Sequence, residues 1–138
     1  MPLAKLLDAN VIIKALLCSD KYFKGLFLTV SLVGNNVDSH GVKALALMLK
    51  KNTVLEELCL QENCLVDEDM LHFAEGLQNN TSLKVLKLSN NRISRKGMEF
   101  FVNTLKHNVT IESIWLGGNL VTAEEIEEMT RVERRLIF

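Results

Sequence analysis

The 138-residue sequence predicts an α/β solenoid, a right-handed stack of strand–helix units with a concave parallel sheet and outer helices. A strand-like pattern recurs at a fixed period of 28 residues, and an asparagine holds the same place in every copy. A segment with helical spacing follows each strand. Such a unit buries its apolar faces only by stacking on a neighbour. Because strands pack about 4.8 Å apart and helices nearly 10 Å apart, the stack must curve into a horseshoe.

The strands are predicted from the stretch LKVLKLSNNRI, which begins at Leu83. Leu86 and Leu88 are two residues apart, so both side chains lie on one face of a strand. Equivalent stretches begin at Phe27, Leu55 and Ile111. Four parallel strands are therefore expected at about 29–33, 57–61, 85–89 and 113–117.

The repeated asparagines are predicted to be structural. A chain that leaves a strand loses the hydrogen-bond partners of its backbone N–H and C=O groups, and an inward amide can satisfy both kinds of group. Stacked turns would then form a ladder of side chains, which consists of Asn35, Asn63, Asn91 and Asn119.

Helices are predicted after each strand, near 40–51, 68–78, 96–107 and 123–134. Apolar residues at steps of three and four, such as Val42, Leu45 and Leu49, lie on one helical face. The expected N-caps are Asp38, Ser94 and Thr122, the last with Glu125 in a capping box.

The combined pattern LxxLxLxxNxL followed by GxxxLxxxL resembles the leucine-rich repeat, and the 28-residue period resembles its ribonuclease-inhibitor subtype. Gly41 and Gly97 begin the helical half, whereas Asp69 stands at the glycine position of the second repeat and Val66 at its cap. Similar repeats occur in NOD-like innate-immune receptors, tropomodulins and Ran GTPase-activating proteins. The resemblance implies a horseshoe that binds macromolecules, and it leaves the partner open.

The expected organisation is one domain. Residues 1–26 would form an N-terminal capping helix, over 3–18, and a linker. Four repeats would follow, at 27–54, 55–82, 83–110 and 111–138. The apolar C-terminal residues LIF either fold back on the last repeat or contact another chain, which leaves a weak homodimer through a terminal repeat open.

Composition and motifs favour a binding protein over an enzyme. The sequence contains no HExxH, GxSxG, CxxC pair or GxxxxGK motif, and its histidines fall in different repeats, so we expect no catalytic site, cofactor or metal. The net charge of −1 provides no electrostatic attraction to nucleic acid, and no apolar run is long enough for membrane insertion.

A cytoplasmic location is expected, with secretion the weaker alternative. Three cysteines without a CxxC pair fit a reducing compartment, and charges interrupt the apolar N-terminus where a signal peptide needs a continuous core. Asn79, Asn80 and Asn108 head N-x-S/T triplets, which would accept glycans only in a secreted protein.

The concave strand surface is the predicted binding site, because residues that alternate with the buried leucines point outward. The side chains expected to contact the ligand are Glu57, Cys59, Gln61, Glu62, Lys87, Ser113 and Trp115. Trp115, the only tryptophan, should lie in water beside Lys87. The function expected first is recognition of a protein or a microbial surface ligand, with a role in innate immunity. The alternative is a cytoskeletal or regulatory scaffold of the tropomodulin or Ran GTPase-activating type.

Overall fold

The computed structural model describes residues 29–138, which form five strands and four helices. In chain order the elements are β1 (Thr29–Ser31), α1 (Ser39–Lys51), β2 (Glu57–Cys59), α2 (Asp67–Leu77), β3 (Val85–Lys87), α3 (Arg95–Leu105), β4 (Ser113–Trp115), α4 (Ala123–Val132) and β5 (Leu136–Ile137). The predicted leucine-rich-repeat solenoid is confirmed. The helix expected over 3–18 lies outside the described residues.

All neighbouring strands pair in parallel, in the order β1-β2-β3-β4-β5. Leu58 pairs with Leu86, and Leu86 pairs with Ile114, so the register keeps the 28-residue period of the sequence. The strands are three residues long rather than the predicted five. Backbone hydrogen bonds nevertheless continue past their ends, as from Leu88 N–H to Trp115 O (2.8 Å).

A fifth strand corrects the predicted count of four. Leu136–Ile137 pairs with β4, and Leu116 N–H donates to Ile137 O at 2.6 Å. The sequence left two arrangements open for the LIF residues, and in the structure they fold back on the last repeat. Leu136 is buried because it continues the row of strand side chains that fills the core.

The core lies between the sheet and the helices. Leu58, Leu86 and Ile114 on the strands are fully buried, and so are Phe73 and Phe101 on α2 and α3. The apolar side chains that alternate along each strand therefore pack against the apolar face of its helix, as the sequence predicted.

The predicted asparagine ladder, called here the exit ladder (Asn35, Asn63, Asn91 and Asn119), follows the strand ends. The Oδ1 atom of Asn91 accepts from the N–H groups of Asn63 and Leu65, both at 3.0 Å. Its Nδ2 group donates to the carbonyls of Leu60 and Leu88. Asn91 is only 6% exposed and joins two repeats, which confirms its structural role.

A second ladder, which sequence reasoning missed, precedes the strands and consists of Asn52, Asn80 and Asn108 (the entry ladder). The Nδ2 group of Asn108 donates to Leu77 O at 2.7 Å, and its Oδ1 atom accepts from the N–H of Ile111 at 2.9 Å. The signal was present, since these asparagines also recur every 28 residues. The turns around them were interpreted only as helix ends.

Arg135 continues the entry ladder where the period places Leu136 instead of an asparagine. Its guanidinium donates to Leu105 O (2.6 Å) and Asn108 O (2.8 Å), the carbonyls that a further asparagine would bind. Glu133 holds the guanidinium in place through Nε and NH2. The pair therefore satisfies the carbonyls at the end of α3.

The predicted N-caps are confirmed. Asp38 accepts from the N–H of Gly41 at 2.9 Å, and Thr122 with Glu125 forms the reciprocal capping box. Val66 has no oxygen to cap α2, but the Oδ2 atom of Asp69 accepts from the N–H of Val66 at 3.0 Å. Asp69, at the glycine position, thus supplies the carboxylate half of a capping box, while its own N–H bonds to the backbone carbonyl of Val66.

Removal of one exit-ladder amide should destabilise the fold. Asn91→Ala leaves two N–H and two C=O groups buried without this partner, and we expect a loss of roughly 2–4 kcal/mol in the free energy of unfolding. Urea denaturation followed by circular dichroism measures the loss. Asn79→Ala, at an exposed position, is the control and should change stability by less than about 0.5 kcal/mol. Equal effects of the two substitutions would contradict the structural role.

Candidate functional site: the concave face

The concave face consists of the outward side chains of the strands and of the residues just beyond them. In β3 and β4 the central residue is buried while its two neighbours are partly or fully accessible, as alternation requires. Seven side chains were predicted to contact a ligand there. Six of them, all except Cys59, are at least partly accessible.

Cys59 departs from the prediction because it is only 8% exposed. Its Sγ atom lies 3.6 Å from Oε1 of Glu57. Burial is the main cause that raises the pKa of the thiol, and the Glu57 carboxylate raises it further. A buried thiol with a raised pKa is a poor nucleophile, so Cys59 contributes to packing more than to contact with a partner.

Glu57 and Lys87 form an ion pair across β2 and β3, with 2.6 Å between Oε1 and Nζ. The hydrogen bond from Lys87 lowers the pKa of Glu57, and the same bond raises the pKa of Lys87. Thr29 also donates to Glu57, at 3.4 Å. The carboxylate is therefore largely compensated by Lys87 and Thr29.

Trp115 is the largest exposed side chain on this face, with 43% of its surface accessible. Its partner in β3 is Lys87, as predicted, and its partner in β5 is Ile137. The indole Nε1–H donates to Oγ of Ser113 at 3.2 Å. The ammonium of Lys87 binds Glu57, so Trp115 is held by Ser113 while its ring stays partly in water.

Glu62 and Gln61 lie where the chain leaves β2. Glu62 is exposed and has a φ of 60°, in the left-handed region. The equivalent residues Gly34, Asn90 and Gly118 also have positive φ, but glycine and asparagine tolerate it better than glutamate. The Oε1 atom of Gln61 is buried and has no hydrogen-bond partner among the described residues.

The concave face presents side chains that a partner can contact. Within residues 29–138, no group of three or more His, Cys, Asp or Glu side chains could hold a metal ion. Across the same range, no helix combines the length and the apolar character needed to cross a membrane. The face carries the exposed aromatic ring of Trp115, the charged side chain of Glu62 at a strained backbone position, and the compensated ion pair of Glu57 and Lys87.

Comparisons with known proteins agree with the fold. A family described as "Leucine Rich repeat" matches residues 79–102. A search of curated protein sequences found no match.

Two solved structures have a similar fold. The structure of leiomodin-1 actin-binding site 2 aligns with a TM-score of 0.75 and 17% identity, over 87% of this chain and 69% of that one. The C-terminal domain of tropomodulin from Caenorhabditis elegans aligns with a TM-score of 0.72 and 14% identity, over 91% of this chain and 75% of that one. The chain thus has the fold of a leucine-rich-repeat solenoid. The ribonuclease-inhibitor subtype and the likeness to NOD-like receptors stay predictions.

The Glu57–Lys87 pair should stabilise the protein only while Glu57 is ionised. Its folded pKa lies below the ordinary value of 4.5, so its contribution is complete above that pH and is lost as the pH falls through the folded pKa. A double-mutant cycle of Glu57→Gln and Lys87→Gln should give a coupling of about 0.2–1 kcal/mol at pH 7.

The coupling should decrease as the pH falls through the folded pKa of Glu57 and vanish once the carboxyl is protonated, because a neutral carboxyl no longer attracts the ammonium. Urea denaturation of the four proteins at pH 7 and at a series of lower pH values measures it, and acid effects elsewhere in the chain cancel within the cycle. A coupling that stays constant throughout the series would contradict the assignment.

Proposed function

We propose that the protein is a non-catalytic binding module whose concave face contacts a cytoskeletal protein, with actin the first candidate. The observation that carries the site is the partly exposed Trp115, on a face where most other side chains are small or polar. Tryptophan is enriched among the residues that dominate interface energetics because it buries a large area with few rotatable bonds. The hydrogen bond to Ser113 already restrains the ring, so binding would order it at little entropic cost.

The choice of actin is supported by the similarity in fold to leiomodin-1 actin-binding site 2. Because a fold by itself does not determine the partner, binding of actin is the direct test of the proposal. The microbial ligand, the innate-immune role and the weak homodimer stay predictions from the sequence.

Glu62 is proposed as a second contact residue because its backbone is strained. A non-glycine residue in the left-handed region costs about 1–2 kcal/mol, and the same position is glycine in the first and fourth repeats. Strain of this kind is characteristic of functional positions. Since Lys87 compensates Glu57, Glu62 supplies an acidic group without an ion pair where the chain leaves β2, and it would favour a basic element on the partner.

A cytoplasmic location is part of the proposal. The amides of Asn80 and Asn108 are buried and make the hydrogen bonds of the entry ladder, so neither is accessible to a glycan in the folded protein. Asn79 is exposed, so the support for this location comes from the two buried asparagines.

Trp115→Ala should weaken binding to the partner by about 2 kcal/mol or more, because it removes the central aromatic contact while leaving the fold intact. The measurement is a titration of fluorescently labelled monomeric actin with the full chain, accompanied by sedimentation with filaments. Leu47→Ala, on the exposed side of α1 (58% exposed), is the matched control and should bind like the unaltered protein.

Two results would contradict the proposal in different ways. Binding by neither form of actin would refute the partner. Binding that Trp115→Ala leaves unchanged would refute the site.

Glu62→Gly should affect stability and binding in opposite directions. Glycine relieves the left-handed strain and should stabilise the fold by up to about 1 kcal/mol, while loss of the carboxylate slows association, most strongly at low salt. Cys64→Gly relieves a similar strain (φ of 59°) two residues further on and should stabilise without slowing association. Equal association rates for the two variants, measured by stopped flow, would remove Glu62 from the site.

A further inference from the structure

The outer face of α1 carries an apolar side chain where the other repeats carry polar ones. Leu47 is 58% exposed. The residues at the same place of the 28-residue period are Glu75, Asn103 and Arg131. Because polar side chains fill this position in three repeats, the solenoid does not need a leucine there in order to fold. Single exposed leucines are common on protein surfaces, so the neighbours of Leu47 determine whether it marks a site.

Leu47 borders a groove of about 230 Å³ between α1 and α2, called here the α1–α2 groove. Its lining residues are Lys43, Ala46, Leu47, Lys50, His72 and Glu75. Ala46 also belongs to a tight helix contact, since a Cβ on Gly76 would lie 2.7 Å from Ala46 O. The two helices that form the groove are therefore held together by the fold itself, and the groove is present before a partner binds.

The charges that line the α1–α2 groove do not balance. Lys43 lies four residues before Leu47 and Lys50 three residues after it, so the three side chains share one face of α1. Neither lysine belongs to an ion pair among residues 29–138. Glu75 is the single carboxylate of the lining. With His72 neutral, the lining therefore has a formal charge of +1, and its two cations flank the exposed leucine.

We propose that this face of α1 binds an acidic amphipathic helix, independently of the concave face. The apolar side chains of that helix would pack on Ala46 and Leu47, and its carboxylates would pair with Lys43 and Lys50. A helix suits this surface because its own side chains recur at steps of three and four, the spacing of Lys43, Leu47 and Lys50. Opposite charge across such a contact sets specificity and the rate of association.

An anionic membrane fits the same surface less well. A flat surface that reached Leu47 would also extend over α2, where Glu68 and Glu75 are exposed and the helix has no lysine or arginine. Those carboxylates would repel anionic lipids. A helix that lies along α1 can instead direct its own carboxylates toward Lys43 and Lys50.

The probe is a fluorescein-labelled leucine–glutamate amphipathic helix of about 18 residues, or five turns. Its counterpart carries lysine at every glutamate position. Fluorescence anisotropy with the full chain should show saturable binding of the glutamate peptide, and binding of the lysine peptide at least about tenfold weaker. Equal binding of the two peptides, or binding of neither, would overturn the proposal.

Three alanine variants locate the contact. Leu47→Ala removes the central apolar side chain and should weaken binding of the glutamate peptide about tenfold. Leu71→Ala makes the same change at a leucine that is 40% exposed and lines the next groove, between α2 and α3, and should have little effect. Trp115→Ala should also leave peptide binding unchanged, because it alters only the concave face. Equal effects of the two leucine variants, or loss of binding in Trp115→Ala, would overturn the assignment to α1.

Two matched pairs of charge variants separate the α1–α2 groove from general electrostatic attraction. Lys43→Gln should weaken binding of the glutamate peptide several-fold, whereas Lys96→Gln, exposed on α3, should not. Glu75→Gln should strengthen binding, whereas Glu112→Gln, exposed before β4, should not. A damaged protein would not bind more tightly, so the gain guards against misfolding as an explanation. Equal effects within each pair would show non-specific attraction and would overturn the proposal.

Two further measurements test other occupants of this face. Vesicles of phosphatidylserine and phosphatidylcholine should not retain the chain in cosedimentation. Sedimentation velocity should show a monomer at the concentrations used for the peptides. Binding to the vesicles, or a dimer, that Leu47→Ala abolishes would overturn the choice of an acidic helix.

Discussion

Buried side-chain amides at both ends of the strands are the constraint on which the rest of this structure depends. The strands β1 to β4 are each only three residues long, and a strand of that length cannot satisfy the backbone groups of the turns that flank it. The entry ladder satisfies those before the strand, and the exit ladder those after it. Because the amides of Asn91 and Asn108 each bond to two repeats, they also connect neighbouring units. Both ladders therefore hold the parallel register in place.

The register in turn determines which side chains meet on the concave face. With Leu58, Leu86 and Ile114 aligned inward, the residues beside them must share the outer surface. Glu57 then reaches Lys87 on the next strand by a diagonal contact. The strands that carry the concave face are therefore held in a fixed register. A few of the side chains on this face, chiefly that of Trp115, are accessible to a partner.

The last repeat shows how the same architecture is modified. Arg135 provides the donors that an asparagine provides elsewhere, and the chain then adds β5 to the sheet. On the outer side, Val102 and Val132 hold the places that Ala46 and Gly76 hold between α1 and α2, and a groove of about 430 Å³ lies between α3 and α4. The C-terminal end of the solenoid thus has both a short extra strand and an open groove. Each arises because a few residues differ from those at the equivalent positions of the earlier repeats.

The sequence by itself determined the solenoid, its parallel register, the exit ladder and the caps at Asp38 and Thr122. These features follow from local periodicity, or from a residue type at a fixed spacing, and neither needs knowledge of distant contacts. Only the tertiary structure decided the burial of Cys59, the attachment of Lys87 to Glu57, the pairing of β5 and the opening of the groove. Each of these depends on how closely segments that are distant in the sequence approach one another, and on which of several partners offers the better hydrogen bond or packing. Periodicity predicts which face a residue lies on, but it does not predict which neighbouring side chain that residue contacts.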